Sequence, residues 1–152
     1  MKKALLTLMT GFCILLVSCG HPTLNSKEDA VEFLESHKFL DESAKVSGTA
    51  GGSLETSFII KFSNGNAIIG DETLPYTITE DGSNSHCGGP AYLIKFCGSQ
   101  KYAYGGCIES TLCSGSLNDG SKTKFGPSLT IDGSYIKAHF SYISKNGITN
   151  KN

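Results

Sequence analysis

The chain has 152 residues, a length that suits one domain with its own core, and a formal net charge of −1. All 13 basic residues are lysine. A near-neutral chain without arginine lacks the forked guanidinium that reads phosphate and guanine, which sets nucleic-acid binding aside. Glycine, at 18 residues, together with Ser, Thr and Asn, indicates many tight turns between short strands.

At the N-terminus, Lys2 and Lys3 precede an apolar run from Ala4 to Val17, interrupted by Thr7, Thr10 and Gly11. At about 14 residues the run is shorter than the roughly 20 that span a hydrocarbon core, and it has the layout of a secretory signal. It ends in Leu16-Val17-Ser18-Cys19. These four residues resemble the lipobox of prokaryotic membrane lipoproteins: an aliphatic residue, a tolerated β-branched one, a small one, then cysteine. The resemblance implies that residues 1–18 are a signal peptide and that the Cys19 thiol takes a diacylglyceryl group. It also implies a further acyl chain, of the palmitate kind, on the freed amino group. Two or more chains give a stable anchor where one is marginal. By the same resemblance the protein belongs to the cell envelope. Gly20, in place of the Asp that retains enterobacterial lipoproteins at the inner membrane, favours the outer one. Cys13 is discarded with the signal.

The mature chain has 134 residues, with 11 lysines against 14 acidic residues and no second apolar run of membrane-spanning length. Residues 19–25 read as the lipidated cysteine and a short polar tether that reaches on the order of 20 Å. Residues 26–144 read as one disulfide-linked, β-rich domain, and 145–152 as a polar tail.

Ser26-Lys27-Glu28-Asp29 is an approximate capping box, and Ala30, Phe33, Leu34 and His37 then share one helical face. A helix over 26–38 is expected. After the glycine-rich break Ser47–Ser53 the period changes to strands. Ser57–Phe62 and Ala67–Ile69 flank Asn64-Gly65, a strong hairpin signal, and Tyr76–Thr79 makes a third strand. Ala91–Cys97 with Lys101–Tyr104, and Ser128–Ile131 with Tyr135–Phe140, are read as two further hairpins. The expected fold is mainly β: a small antiparallel barrel or sandwich of about 6–8 strands with one N-terminal helix.

With Cys19 committed to lipid, Cys87, Cys97, Cys107 and Cys113 remain, and an even number in an exported domain argues for two disulfides. Four cysteines allow three connectivities, and spacing alone does not choose. The midpoints of Cys87/Cys113 and Cys97/Cys107 fall at positions 100 and 102, close to the turn Gly98-Ser99-Gln100-Lys101. Residues equidistant from a hairpin turn face each other, which favours the nested bonds Cys87–Cys113 and Cys97–Cys107. The sequential pattern Cys87–Cys97 with Cys107–Cys113 is the rival.

His86, Cys87, Cys97 and His139 are zinc-type ligands, but their spacing matches no compact site, so neither metal nor other cofactor is expected. His37 reads as a packing residue. No Gly-x-Ser-x-Gly elbow occurs and no thiol is left over for nucleophilic catalysis, so an enzyme is not expected. The acidic pairs Asp71-Glu72 and Glu80-Asp81 read as solvated turn charges rather than a glycosidase pair. Tyr102 and Tyr104 alternate onto one face, as do Tyr92, Ile94 and Phe96 on the neighbouring run. Their default place is the core face. Exposed, Tyr92, Tyr102 and Tyr104 form the contact surface for a sugar or protein, since there is no tryptophan to stack on a sugar.

The function expected is a lipid-anchored, non-enzymatic envelope lipoprotein that binds a protein or glycan close to the membrane. The alternatives are a small barrel carrying an apolar ligand and a hydrolase with an unrecognised site. The helix-then-sheet order is similar only in a general way to small uncharacterised bacterial lipoproteins.

Overall fold

The computed structural model describes residues 22–47, 51–82, 87–117 and 124–144. Cys19, His86 and the tail 145–152 lie outside them. Helix α1 spans Lys27–Ser36 and opens on a capping box: the Ser26 hydroxyl accepts the Asp29 N–H, and the Asp29 carboxylate accepts the Ser26 N–H, both at 3.1 Å. Ala30, Phe33 and Leu34 are its buried face. The helix stops before the expected residue 38, because His37 is already extended (φ −123°, ψ 165°) and begins a strand.

Strands β1 (His37–Val46), β2 (Leu54–Ser63), β3 (Asn66–Ile69), β4 (Glu72–Glu80) and β5 (Ala91–Cys97) lead to a one-turn helix, α2 (Gln100–Ala103). After it come β6 (Cys107–Cys113), β7 (Ser116–Leu117), β8 (Lys124–Phe125), β9 (Ser128–Asp132) and β10 (Ile136–Ser144). Eight strands close into an antiparallel barrel in the order β1-β10-β9-β6-β5-β4-β3-β2, while β7 and β8 pair with each other as a separate ribbon. With the ribbon set aside, every barrel strand pairs with its neighbours in sequence, and β1 closes on β10. The architecture is a barrel, not a sandwich.

Eight strands leave an interior just wide enough for side chains to fill. Here Phe58, Ile60 and Phe62 from β2, Tyr92, Ile94 and Phe96 from β5, and Leu129, Ile131 and Phe140 from β9 and β10 join one buried cluster. The inward set of β2 alternates without a slip from Thr56 to Ser63.

Helix α1 covers one end of the barrel, here termed the helix end. Phe33 meets Phe39 and Tyr142 edge-on, with ring centroids 5.8 and 5.1 Å apart. The Glu35 carboxylate accepts the Gly65 N–H at 2.8 Å and the Tyr76 hydroxyl at 3.2 Å, tying α1 to the β2–β3 turn and to β4. Burial, the Glu35 charge and this hydrogen bond push the Tyr76 phenol up to about 12. Leu24 is only 2% exposed, and the Tyr92 hydroxyl donates to its carbonyl at 3.3 Å. Leu24 therefore belongs to the domain and not to the tether expected over 19–25.

Two strand assignments also differ. Lys101–Tyr104 is not a strand: the Ser99 hydroxyl accepts the Tyr102 N–H at 2.9 Å and starts a helical turn, which Tyr104 and Gly105 end at φ +48° and +80°. The partner of β5 is instead β6, in register from Ala91↔Cys113 to Cys97↔Cys107. β1 has no counterpart among the expected strands. Its inward period breaks between Asp41 and Ala44, where it carries one residue more than β2 opposite. The Asp41 carboxylate mends the gap, accepting the His139 N–H of β10 at 2.8 Å and the Ser43 N–H at 2.9 Å.

Candidate functional site

At the end opposite α1 the barrel parts along two lines. β2 has ten residues but β3 only four, so the β2–β3 ladder holds from Ile60 to Ser63 and stops. Likewise β6 pairs with β9 only at Thr111, Leu112 and Cys113. The two seams lie on opposite sides. They divide the barrel into halves, β9-β10-β1-β2 and β3-β4-β5-β6, that are joined at the helix end and separated at the other.

Tyr102 stands between the halves. Its ring is buried, and it meets Phe58 of the opposite half edge-on with centroids 5.6 Å apart. A cleft opens on each side of it. One, of about 340 Å³, lies along the β2–β3 seam over Phe58, Ile59, Lys61 and Ile68. The other, of about 310 Å³, lies along the β6–β9 seam and is walled by Ile108, Ile131, Tyr135, Glu109 and Asp132. Both carboxylates are held by lysines: Glu109 by Lys95 at 3.0 Å and Asp132 by Lys137 at 3.1 Å. Above this second cleft Tyr104 is 66% exposed and packs edge-on against Tyr135 at 5.4 Å.

The loop that carries Tyr102 is fastened twice. At its base, Cys97 and Cys107 face each other across the β5–β6 ladder and are bonded, with Cα atoms 3.9 Å apart. Cys87 and Cys113 are bonded at 5.2 Å, so the two bridges nest. At its tip, the Glu72 carboxylate accepts the Ser99 hydroxyl at 2.6 Å and the N–H groups of Gln100 and Lys101 at 2.8 and 3.2 Å. Burial and the neighbouring Asp71 raise the Glu72 pKa, but the three hydrogen bonds outweigh them and hold it below the ordinary carboxylate value. Glu72 is thus no solvated turn charge. It orders the loop. Sequence alone offered a partial signal for this loop: Ser99 is a good N-cap, and Gly105-Gly106 fits a helical stop.

Of the expected contact residues, Tyr104 alone is displayed. Tyr92 is 1% exposed inside the barrel and Tyr102 is 5% exposed between the halves, so the three do not form one patch. Inward alternation buries Tyr92, and the α2 turn rather than strand geometry aims Tyr102 inward and Tyr104 outward. Cys87 and Cys97 are spent in disulfides, and among the described residues no group of three or more His, Cys, Asp or Glu is arranged to hold a metal. His37 packs against Phe33 and Tyr142, and its Nδ1 lies 2.9 Å from both the Phe33 carbonyl and the Ser36 hydroxyl. His139, Thr130 and Asp41 come together on the outer wall, with Thr130 Oγ1 3.4 Å from His139 Nδ1. Asp41 takes the backbone N–H of His139, not its ring, so the carboxylate does not orient an imidazole as a catalytic relay requires.

Fold and site define a disulfide-bonded, eight-stranded antiparallel meander barrel, closed by a helix at one end and parted at the other. Compared with protein-family models, curated proteins and solved structures, the chain matches none.

Proposed function

We propose that the protein is a lipid-anchored, non-enzymatic binding protein of the cell envelope, favouring the outer membrane, whose ligand is a glycan held in the β6–β9 cleft. The observation that carries this reading is the exposed Tyr104–Tyr135 pair beside the Glu109 and Asp132 carboxylates. Aromatic rings offer flat apolar faces to the C–H side of a sugar, while carboxylates accept hydrogen bonds from its hydroxyls. Tyr104 is held at φ +48°, a left-handed conformation that costs a bulky residue free energy and concentrates at functional sites. The anchor rests on Leu16-Val17-Ser18-Cys19. Because Leu24 is fixed at the helix end, a lipid on Cys19 five residues earlier keeps that end near the bilayer, within roughly 18 Å of extended chain. The parted end then faces away from the membrane, open to envelope polymers.

An N-acetylglucosamine tetramer is the probe. In amide NMR spectra it is expected to shift residues 103–109 and 131–136, and Tyr104→Ala is expected to weaken binding at least tenfold without changing the melting temperature. No shifts with this or a second cell-wall saccharide, or shifts confined to the helix end, would sink the reading.

The apolar-ligand carrier has one observation in its favour: both clefts touch Tyr102, so its displacement would join them into a single chamber. Binding of a fluorescent fatty acid that is lost on Cys19-independent filling of that space, by Ala103→Phe, would favour it over the glycan.

A further inference from the structure

The β2–β3 seam leaves more than a cleft. Among the described residues, Leu54–Ile59 has no strand on its β3 side. The direction of its free backbone groups follows from the turn beyond it. Asn64 and Gly65 both have positive φ, +50° and +74°, the two-residue hairpin geometry in which the flanking pair, Ser63 and Asn66, is hydrogen-bonded. Alternate residues of β2 therefore turn N–H and C=O toward β3: Ser63, Lys61 and, past the end of the ladder, Ile59, Ser57 and Glu55. The unbroken in-out alternation of β2 keeps this count valid. Three residues thus present a row of donors and acceptors that no strand takes, the Ser57 carbonyl meeting only the Thr56 hydroxyl at 3.5 Å. Such an edge is a template for another strand. Ile59 and Leu54, 45% and 65% exposed, border it.

We propose that this edge pairs with the same edge of a second copy of the chain, as antiparallel strands about a two-fold axis at Ser57. The occupant follows from register and charge. Opposed residues must point to the same face, and edge-facing backbone groups must meet edge-facing groups. Centring on Ser57 satisfies both: Ser57 faces the partner's Ser57, and Glu55 faces the partner's Ile59, which allows six backbone hydrogen bonds. The chain enters β2 at Leu54, so the pairing ends where the partner's own β3 begins.

Charge selects this register over its neighbour. On the outer face Lys38 and Lys61 stand directly opposite each other, a like-charge pair that is unfavourable, and no ion pair relieves either among the described residues. In the Ser57-centred register, Glu55 of each copy lies diagonal to Lys61 of the other, within reach of long side chains. Centred on Thr56 instead, Glu55 meets the partner's Ser57 and Lys61 is out of reach. The cleft of about 340 Å³ along the seam is the trough the second strand occupies.

The test uses the full chain exported to an oxidising envelope. Ser57→Cys is expected to form an intermolecular disulfide that doubles the mass on a non-reducing gel, while Thr77→Cys, exposed on β4, stays monomeric. By sedimentation, Glu55→Lys is expected to weaken dimerisation about tenfold, and adding Lys61→Glu to restore it to within about threefold. The proposal is overturned if Ser57→Cys cross-links no more than Thr77→Cys or joins a different protein instead. It is equally overturned if Glu55→Lys leaves the dimer unchanged. This edge is separate from the Tyr104 cleft, so either reading can fail without the other.

Discussion

Glu72 shows how much one carboxylate decides in this barrel. It organises Ser99, Gln100 and Lys101, and through them the loop that sets Tyr102 between the halves. Replacing it with Gln keeps the shape but removes the charge that strengthens three hydrogen bonds. A loss of about 1–2 kcal/mol at pH 7 is expected from urea unfolding. The pH dependence has a definite sign. The folded pKa lies below the ordinary glutamate value, so the stabilisation is fully present well above that value and is lost as pH falls through the lower folded one. The gap between wild type and Glu72→Gln should therefore narrow from pH 6 to pH 3. A gap that is constant across this range would show that the charge is not what matters. In sequence, Asp71-Glu72 looked like any acidic turn, because its partners lie 27 to 29 residues away.

At the scale of elements, the hairpin β5–β6 is the best-secured pair in the molecule. Its register places Cys97 opposite Cys107, and Cys113, opposite Ala91, is bonded to Cys87 just beyond the start of β5. The chain-entropy argument makes the longer loop the more valuable one. Replacing Cys97 and Cys107 with alanine should cost about 2–3 kcal/mol, and replacing Cys87 and Cys113 somewhat more, about 3–4 kcal/mol. Thermal melts of the two double variants would check the order. The reverse order would mean that the inner bridge also holds native structure that the chain does not hold without it, such as the Tyr102 loop. The nested pairing was favoured over its sequential rival by equidistance from one turn, a relation that survives a wrong guess about the turn. The partner strand was misread: Ser99 and Gly105 make Lys101–Tyr104 a helical turn and its cap, and strand pairing resumes only at Cys107.

For the whole molecule, the closed and parted ends should differ in local stability. Hydrogen bonds in a continuous, buried ladder exchange only on large-scale unfolding, while frayed seams open locally. Hydrogen exchange should therefore be slow for Ile60, Phe62 and Tyr92–Ile94. It should be faster by orders of magnitude for the seam-facing amides of Glu55, Ser57 and Ile59 in β2 and of Cys107 and Glu109 in β6. Uniform protection around both ends would contradict a barrel parted along two seams. The same measurement on a concentrated sample would slow Glu55, Ser57 and Ile59 alone if two copies pair there, which links the edge to the ensemble in solution.

Residue order by itself determined what local rules decide: the capped helix, the Asn64-Gly65 hairpin and the mainly β class. Each rests on neighbours a few residues apart, where period, capping and turn chemistry act. Closure into a barrel, the bulge at Asp41, the place of Tyr102 and the free edge of β2 were decided only in the tertiary structure. They depend on β1 meeting β10 and on β3 being too short to match β2, and both are relations between distant strands. Such pairings gain their free energy from long-range burial, and no window along the chain contains it.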